Sequence, residues 1–229
     1  MIPPSPTAPP PSPTAPPAPM PPSPANANVS GHVTEATREE MRRTIAEHYA
    51  GILRALGIDT ANDHNSHDTP RRVAKMLVDE ACWGRFNECP KITDFPNAAH
   101  LDEIYTVGPI SVRSLCSHHM LPIFGRAWIG VIPSERVIGL SKFNRIVQWV
   151  MQRPQIQEEA TIMLADKIEE LIKPKALGVV VKATHTCMTW RGVKDNDTDM
   201  VTSVMRGTFR DNPAARNEFL TFIKGQKFQ

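Results

Sequence analysis

Two widely separated segments of the chain combine a cysteine thiol with a histidine imidazole. The first, Cys116-Ser-His-His119, places the two groups three positions apart, and the second, His185-Thr-Cys187, ends a run rich in β-branched residues. Side chains two positions apart on a strand face the same way, so His185 and Cys187 are predicted to point together. A fold that brings this strand to the Cys116 turn would assemble Cys116, His119 and Cys187 around one zinc ion, with a fourth position left for water.

Other interpretations of these residues stay open. Cys116 to His119 could form only a polar turn, and a structural zinc site could recruit His118 or His185 as a fourth ligand. A catalytic site is favoured because two histidines beside an open zinc ion can carry protons, while the ion lowers the pKa of bound water to about 7.

A basic segment supplies a candidate phosphate site. Ser141 is predicted to cap a helix, with Lys142 and Arg145 on one face of its first turn. Positive charge at a helix N-terminus is slightly unfavourable by itself, so an anionic partner such as phosphate is indicated. The alternative is a solvated basic face.

Three more residues carry weaker signals. Gln157 and Glu158 open the next predicted helix, where a carboxylate is stabilised by the helix dipole or, alternatively, accepts paired donors from a guanine-like ring edge. Arg191 could be a surface arginine or a second phosphate clamp.

Composition limits the classes of function. The net charge of +2 gives no reason to expect a nucleic-acid or membrane partner. The chain shows no cationic start followed by an apolar signal core and no apolar run of about 18 residues, so a soluble cytoplasmic protein is predicted.

The pattern of elements predicts three regions. Thirteen of the first 24 residues are proline, which predicts an extended disordered tail over residues 1–33. A helical region is predicted over 34–100, with a capping box from Thr37 to Glu40 and a second helix after Thr69-Pro70. Residues 101–229 alternate β-rich and helical segments, which predicts an α+β catalytic domain with an antiparallel sheet and helices packed on one face.

Several stretches together resemble the GTP cyclohydrolase I family, and the likeness runs from about residue 37 to 223. They are Asp68-Thr-Pro-Arg-Arg-Val-Ala-Lys-Met76, Cys116-Ser-His-His119, Gly139-Leu-Ser-Lys-Phe-Asn-Arg-Ile-Val147, Arg153-Pro-Gln-Ile-Gln-Glu158 and His185-Thr-Cys-Met-Thr-Trp-Arg-Gly-Val193. The resemblance implies the tunnelling fold and a homo-oligomer of pentameric rings paired into a decamer. It also implies that GTP and water give 7,8-dihydroneopterin triphosphate and formate, the first step of pterin and folate-type biosynthesis.

The same resemblance assigns roles to individual residues. It implies that Zn²⁺ is held by Cys116, His119 and Cys187 and that His118 and His185 act as acid and base. Glu158 with Gln157 would anchor guanine. The implied triphosphate contacts are Ser141, Lys142, Arg145 and Arg191, and Arg72 would also reach the phosphates.

The sequence departs from the family pattern at two places. Ser117 stands where the family has Glu, and residues 198–207 contain less threonine than is typical. Two other functions remain open: a non-catalytic, zinc-stabilised pterin or nucleotide binder, and a related nitrile reductase, for which the chain lacks a glycine-rich dinucleotide signature. Allosteric control and a regulatory protein partner are left open.

Overall fold

The computed structural model describes residues 20–224. The predicted tail falls largely on residues 1–19, which lie outside the described residues, as do residues 225–229. The helices are, in chain order, α1 (Glu35–Ala55), α2 (Thr69–Lys75, continued by a π-helical stretch Met76–Ala81), α3 (Trp83–Phe86), α4 (Leu140–Met151), α5 (Gln157–Ile172), α6 (Thr186–Thr189), α7 (Thr208–Asp211) and α8 (Pro213–Lys224). The strands are β1 (Asp94–Pro96), β2 (Tyr105–Cys116), β3 (Pro122–Ile132), β4 (Arg136–Ile138), β5 (Pro154–Gln155), β6 (Ala176–His185) and β7 (Met200–Gly207).

The main sheet has the strand order β5-β2-β3-β6-β7. Its pairings are antiparallel except for β5, which runs parallel to the end of β2. Alternate residues of β6 face opposite sides, so Val179 and Val181 join the core under α4 and α5, whereas Val180 packs with α8. The predicted α+β domain is confirmed, with α4 and α5 on one face. The C-terminal α8 adds cover to part of the other face.

The first long helix begins earlier than predicted. Thr34 is the N-cap of α1, and it exchanges hydrogen bonds with Thr37, whose backbone N–H donates to Thr34 Oγ1 at 3.2 Å. The prediction of a capping box from Thr37 to Glu40 is therefore wrong. The hydroxyl of Thr37 already completes the reciprocal pair, and Glu40 accepts from Arg43 at 2.6 Å.

The C-terminal helix is anchored by one phenyl ring. Phe219 is fully buried and stacks on Phe209 with ring centroids 5.3 Å apart. The ring lies on the paired glycines Gly130 and Gly178, where an added Cβ would come within 2.4 and 2.5 Å of it. Glycine is needed at both positions because any side chain would occupy the volume of the ring.

We expect Phe219→Ala to lower the free energy of unfolding by about 3–5 kcal/mol. The substitution would leave a cavity under α8, and the glycines beneath it have no side chains that could fill it. Urea unfolding followed by circular dichroism measures the change. The matched control is Phe222→Ala on the same helix, where the ring is 43% exposed. Equal losses in the two variants would contradict this account of α8.

The segment Ser23–Val29, which we call the strap, lies against the domain. The Arg85 guanidinium donates to the carbonyls of Pro24, Ala25 and Ala27 at 2.7–3.0 Å. Asn28 donates to the carbonyls of Gly84 and Asn87, and Val29 is buried. The predicted boundary of the tail at residue 33 is therefore too late, because side chains of the strap and of α3 satisfy each other's polar groups.

A buried arginine holds the middle of the strap. Arg153 is 1% exposed, its Nη1 donates to the Asn26 carbonyl at 3.0 Å, and its guanidinium lies 4.1 Å from the centroid of the Trp149 ring. Burial lowers the pKa of Arg153 to about 10. The Asn26 side chain donates to Glu159 at 2.7 Å, which ties the strap to the first turn of α5.

No helix within residues 20–224 combines the length and apolar character that crossing a membrane requires.

Candidate metal centre and its surroundings

Three strand ends bring the two motifs together. Strand β2 ends at Cys116, the chain turns, and β3 begins at Pro122. The register of β3 with β6 places Ile123 opposite His185, the last residue of β6. Since β3 lies between β2 and β6, the segments after Cys116 and before Cys187 meet at one end of the sheet.

Cys116, His119 and Cys187 converge as the sequence predicts. Their ligand atoms all lie within 4.8 Å of one another. Cys116 is buried and the other two are more accessible, so the cluster lies at the protein surface with one side shielded. Two thiols and an imidazole form a donor set that suits zinc, and ligands about 2.0–2.3 Å from a tetrahedral ion fit this spacing after a small contraction.

The position of Cys187 differs from the prediction. Strand β6 ends at His185, and Cys187 lies in the short helix α6. The Thr186 hydroxyl donates to the Pro122 carbonyl at 2.7 Å and so fixes α6 against the start of β3. The thiol therefore reaches the cluster from a helical turn rather than from the same face of a strand as His185.

The thiol of Cys187 is protonated more firmly than a free cysteine. Burial raises its pKa, and the neighbouring Cys116 thiol raises it further. A metal ion reverses this balance, because only the thiolate is a good ligand and binding releases the proton.

The backbone around Cys116 is held by a residue that was not predicted. Cys116 pairs with Gln155 of β5, and the Ser117 N–H donates to the Gln155 carbonyl at 3.2 Å. The Gln155 amide is buried and donates to the carbonyls of Val150 and Met151 at 2.9 and 3.0 Å. The end of β2 is thereby joined to the end of α4. Nothing in the sequence Arg153-Pro-Gln-Ile-Gln-Glu158 indicated that Gln155 would join these two elements.

His185 lies beside the cluster and is oriented by Gln157. The His185 Nε2 and the Gln157 Oε1 are 2.8 Å apart. Burial lowers the pKa of His185, while the negative charge of Glu158 opposes this shift. His118 is exposed next to His119, with ring centroids 6.5 Å apart. Two further imidazoles, one exposed and one partly buried, therefore lie within two residues of the candidate ligands in sequence.

Arg191 contacts the cluster directly. Its Nη1 lies 2.8 Å from His119 Nε2. A guanidinium can only donate, so this geometry requires a lone pair on Nε2 and, in a neutral ring, the proton on Nδ1. A metal ion needs the lone pair of one of these nitrogens, so metal binding would change either the tautomer of His119 or the position of Arg191.

The predicted phosphate site, formed by Ser141, Lys142 and Arg145, lies at the start of α4 and makes none of the contacts described above. Gly139 is the N-cap of α4, so the prediction of Ser141 as N-cap is wrong by two positions, and Ser141 lies in the first turn. Ser141 and Arg145 are exposed. Within residues 20–224, no hydrogen bond or ion pair joins Ser141, Lys142 or Arg145 to the cluster of Cys116, His119 and Cys187. Over the same range, none joins Arg72 to that cluster either. Arg72 instead donates to Asp68 at 3.3 Å.

The fold and the site together define a class: an α+β protein whose antiparallel sheet carries a three-donor thiol and imidazole metal site at one end, beside a half-buried histidine. A sequence profile of the family "GTP cyclohydrolase I" matches residues 45–224. The chain belongs to the GTP cyclohydrolase I family and is an enzyme of that family.

Curated relatives agree with this assignment. The chain is 40% identical to "GTP cyclohydrolase 1" of Aliivibrio salmonicida (strain LFI1238) over 189 residues, which cover 82% of this chain and 87% of the relative. It is 42% identical to the protein of the same name from Shewanella sp. (strain ANA-3), with the same coverage. Among solved structures, it is similar to the apo form of the archaeosine synthase QueF-Like, with a TM-score of 0.36 and 15% identity, over 52% of this chain and 97% of the other.

Proposed function

We propose that this enzyme uses a zinc ion held by Cys116, His119 and Cys187 to convert GTP and water to 7,8-dihydroneopterin triphosphate and formate. The observation that carries the proposal is the convergence of these three side chains, whose ligand atoms all lie within 4.8 Å of one another. Zinc is favoured over harder cations because two of the three donors are sulfur. When bound, the ion would lower the pKa of a coordinated water and so supply a nucleophile at neutral pH.

The two histidines take the proton transfers. As water adds to C8 of the purine, His185 donates a proton to N7, which prevents negative charge from building on the leaving nitrogen. His118, which is exposed and adjacent to the proposed ligand His119, exchanges protons during loss of formate in this proposal. The freed amine then closes a new ring with the rearranged ribose carbons.

Guanine recognition falls to the start of α5. Glu158 influences His185 electrostatically, so a base held by its carboxylate would lie near the proposed proton donor. A carboxylate can accept two parallel hydrogen bonds from the N1–H and the exocyclic amine of guanine. We assign Gln157 to the same anchor through its backbone N–H, because the first N–H groups of a helix have no partner in the helix.

The phosphate contacts are assigned to more than one copy of the chain. We propose that Ser141, Lys142, Arg145 and Arg72 act on GTP bound at a neighbouring subunit's metal site, with Arg191 contributing beside the metal. The sheet supports association because β7 is an edge strand, which offers unpaired backbone groups to another copy. We expect paired pentameric rings, which light scattering would detect as a decamer.

We also propose a division of the chain into two regions and a cellular location. Residues 34–100 form the helical region, residues 101–229 form the catalytic domain, and the enzyme acts in the cytoplasm. Fractionation of cells that express the protein would test the last point.

Turnover of GTP tests the function. Purified, zinc-loaded and assembled protein is incubated with GTP, and the pterin chromophore and formate are followed. Equal amounts of both products are expected. GTP binding with no product would support the second candidate, a non-catalytic nucleotide-binding member of the same fold.

We expect Arg145→Ala to raise the KM for GTP by ~10–100-fold with a smaller effect on kcat, because a charge-assisted contact to the triphosphate is lost. Steady-state kinetics measures both constants. The control is Arg54→Ala, which removes an exposed arginine at the end of α1. An unchanged KM in Arg145→Ala would exclude the predicted phosphate site on α4 from GTP binding.

A further inference from the structure

A closed set of hydrogen bonds lies behind His185. Gln157 is 3% exposed, and its Nε2 lies 3.1 Å from the carbonyls of Val181 and Met200 and from Thr202 Oγ1. The two backbone carbonyls can only accept hydrogen bonds. The amide nitrogen must therefore face them, since a flipped amide would place its oxygen against two other oxygens.

This orientation of the amide determines which nitrogen of His185 carries a hydrogen. The Gln157 carbonyl oxygen faces His185 Nε2 at 2.8 Å, and because it can only accept, that nitrogen must carry a hydrogen. A neutral ring then has its lone pair on Nδ1. Among the residues that the structure describes, no hydrogen bond to this nitrogen is found, so it is free to meet a substrate.

We propose that Gln157 is a positioning residue that fixes His185 in the Nε2–H tautomer and makes Nδ1 the nitrogen that exchanges a proton with the substrate. The proposal rests on the proposed function, in which His185 donates to N7 of the purine. In that step His185 reacts as the imidazolium, protonated on both ring nitrogens: the N–H bond at Nδ1 breaks and the N7–H bond forms. The ring is left neutral, with its remaining proton held on Nε2 by Gln157.

Two threonines complete this set of hydrogen bonds, which we call the Gln157 lock and which comprises Gln157, His185, Thr161 and Thr202. The Thr161 hydroxyl donates to the Gln157 backbone carbonyl at 2.7 Å and lies 2.7 Å from the Thr202 hydroxyl. Each hydroxyl has one hydrogen, so Thr202 must donate to Thr161 and accept from the Gln157 amide. The two hydrogens of the Gln157 amide are then shared among three acceptors, the Val181 and Met200 carbonyls and the Thr202 hydroxyl. The lock joins α5 to β6 and β7, which makes the orientation of His185 depend on the packing of three elements.

The kinetic test separates positioning from binding. We expect Gln157→Ala to lower kcat by ~10–100-fold, as loss of a supporting hydrogen bond does at other sites, with KM changed by less than about twofold. Zinc content and oligomeric state are expected to match the wild-type protein. A raised KM with unchanged kcat would overturn the proposal and assign the Gln157 side chain to direct GTP binding.

Thr202 provides a second, milder variant. Thr202→Val keeps the shape but removes the hydroxyl, so kcat is expected to fall in the same direction by a smaller factor, and Thr202→Ser is expected to restore it. The matched control is Ser203→Ala on the neighbouring, exposed position of β7. Equal kinetics for Thr202→Val, Thr202→Ser and wild type would exclude Thr202 from the lock.

A spectroscopic test does not depend on turnover. Zinc-loaded protein labelled with ¹⁵N-histidine is examined by solid-state NMR, and the His185 signals are assigned by difference from His185→Gln. At a pH where the ring is neutral, the proton is expected on Nε2, and both tautomers are expected in Gln157→Ala. A proton on Nδ1 in the wild type would overturn the inference. Absence of GTP turnover would instead overturn the proposed function.

Discussion

Cys187→Ala is expected to lose both bound zinc and measurable GTP turnover. The thiol is one of three ligands that converge within 4.8 Å, and a site with one thiol and one imidazole should bind zinc weakly. The short helix α6 carries no buried residue, so the substitution should leave the sheet intact. Metal analysis of the purified protein, together with formate release, measures the two losses.

The control for this variant is Cys89→Ala, which removes another free, partly buried cysteine that lies outside the cluster. It should retain one zinc ion per chain and wild-type activity. Stoichiometric zinc in Cys187→Ala would contradict the ligand assignment. Circular dichroism and light scattering on both variants would separate loss of the site from loss of the fold.

His185→Asn is expected to lower kcat by ~10²–10⁴-fold, because the general acid that meets N7 would be gone. Zinc content should be unchanged, since the three ligands remain. The affinity for GTP, measured by calorimetry, should change little because binding rests on the guanine anchor and the phosphate contacts.

His100→Asn is the matched control for this second variant. His100 is exposed and has a φ of 51°, a conformation that asparagine tolerates well. Full activity is expected. If His185→Asn retained wild-type kcat, the proton donor would have to be sought elsewhere, with His118 as the next candidate.

The strongest patterns in the sequence predicted the fold well. The apolar stripe of α4 and the β-branched runs of β3 and β6 predicted elements that match the structure within a few residues. These segments are long and their periodicity follows from burial on one face. The convergence of Cys116, His119 and Cys187 was also predicted correctly, since thiols and imidazoles at such spacing have few other uses.

Features that depend on tertiary contacts were not predictable in the same way. The sequence does not reveal that β6 ends at His185, because the hydrogen bond from Thr186 to Pro122 that fixes α6 depends on the register of β3. The hydrogen bonds of the Gln157 side chain were not predicted for a similar reason. Its partners Met200 and Thr202 lie more than 40 residues away in sequence, and nothing local marks them.

The contacts of the strap limit how far the chain can be shortened from its amino end without loss of folded structure. Removing residues only up to 22 would leave the bonds of Arg85 to the segment and the bond of Arg153 to Asn26 in place. A cut at residue 34, where composition alone suggests that the folded region starts, would leave the buried guanidinium of Arg153 without that acceptor and would expose the surface that Val29 covers. The same segment brings the chain close to the proposed guanine anchor, because Asn26 donates to Glu159, so a truncation that removes it would change the surroundings of that anchor.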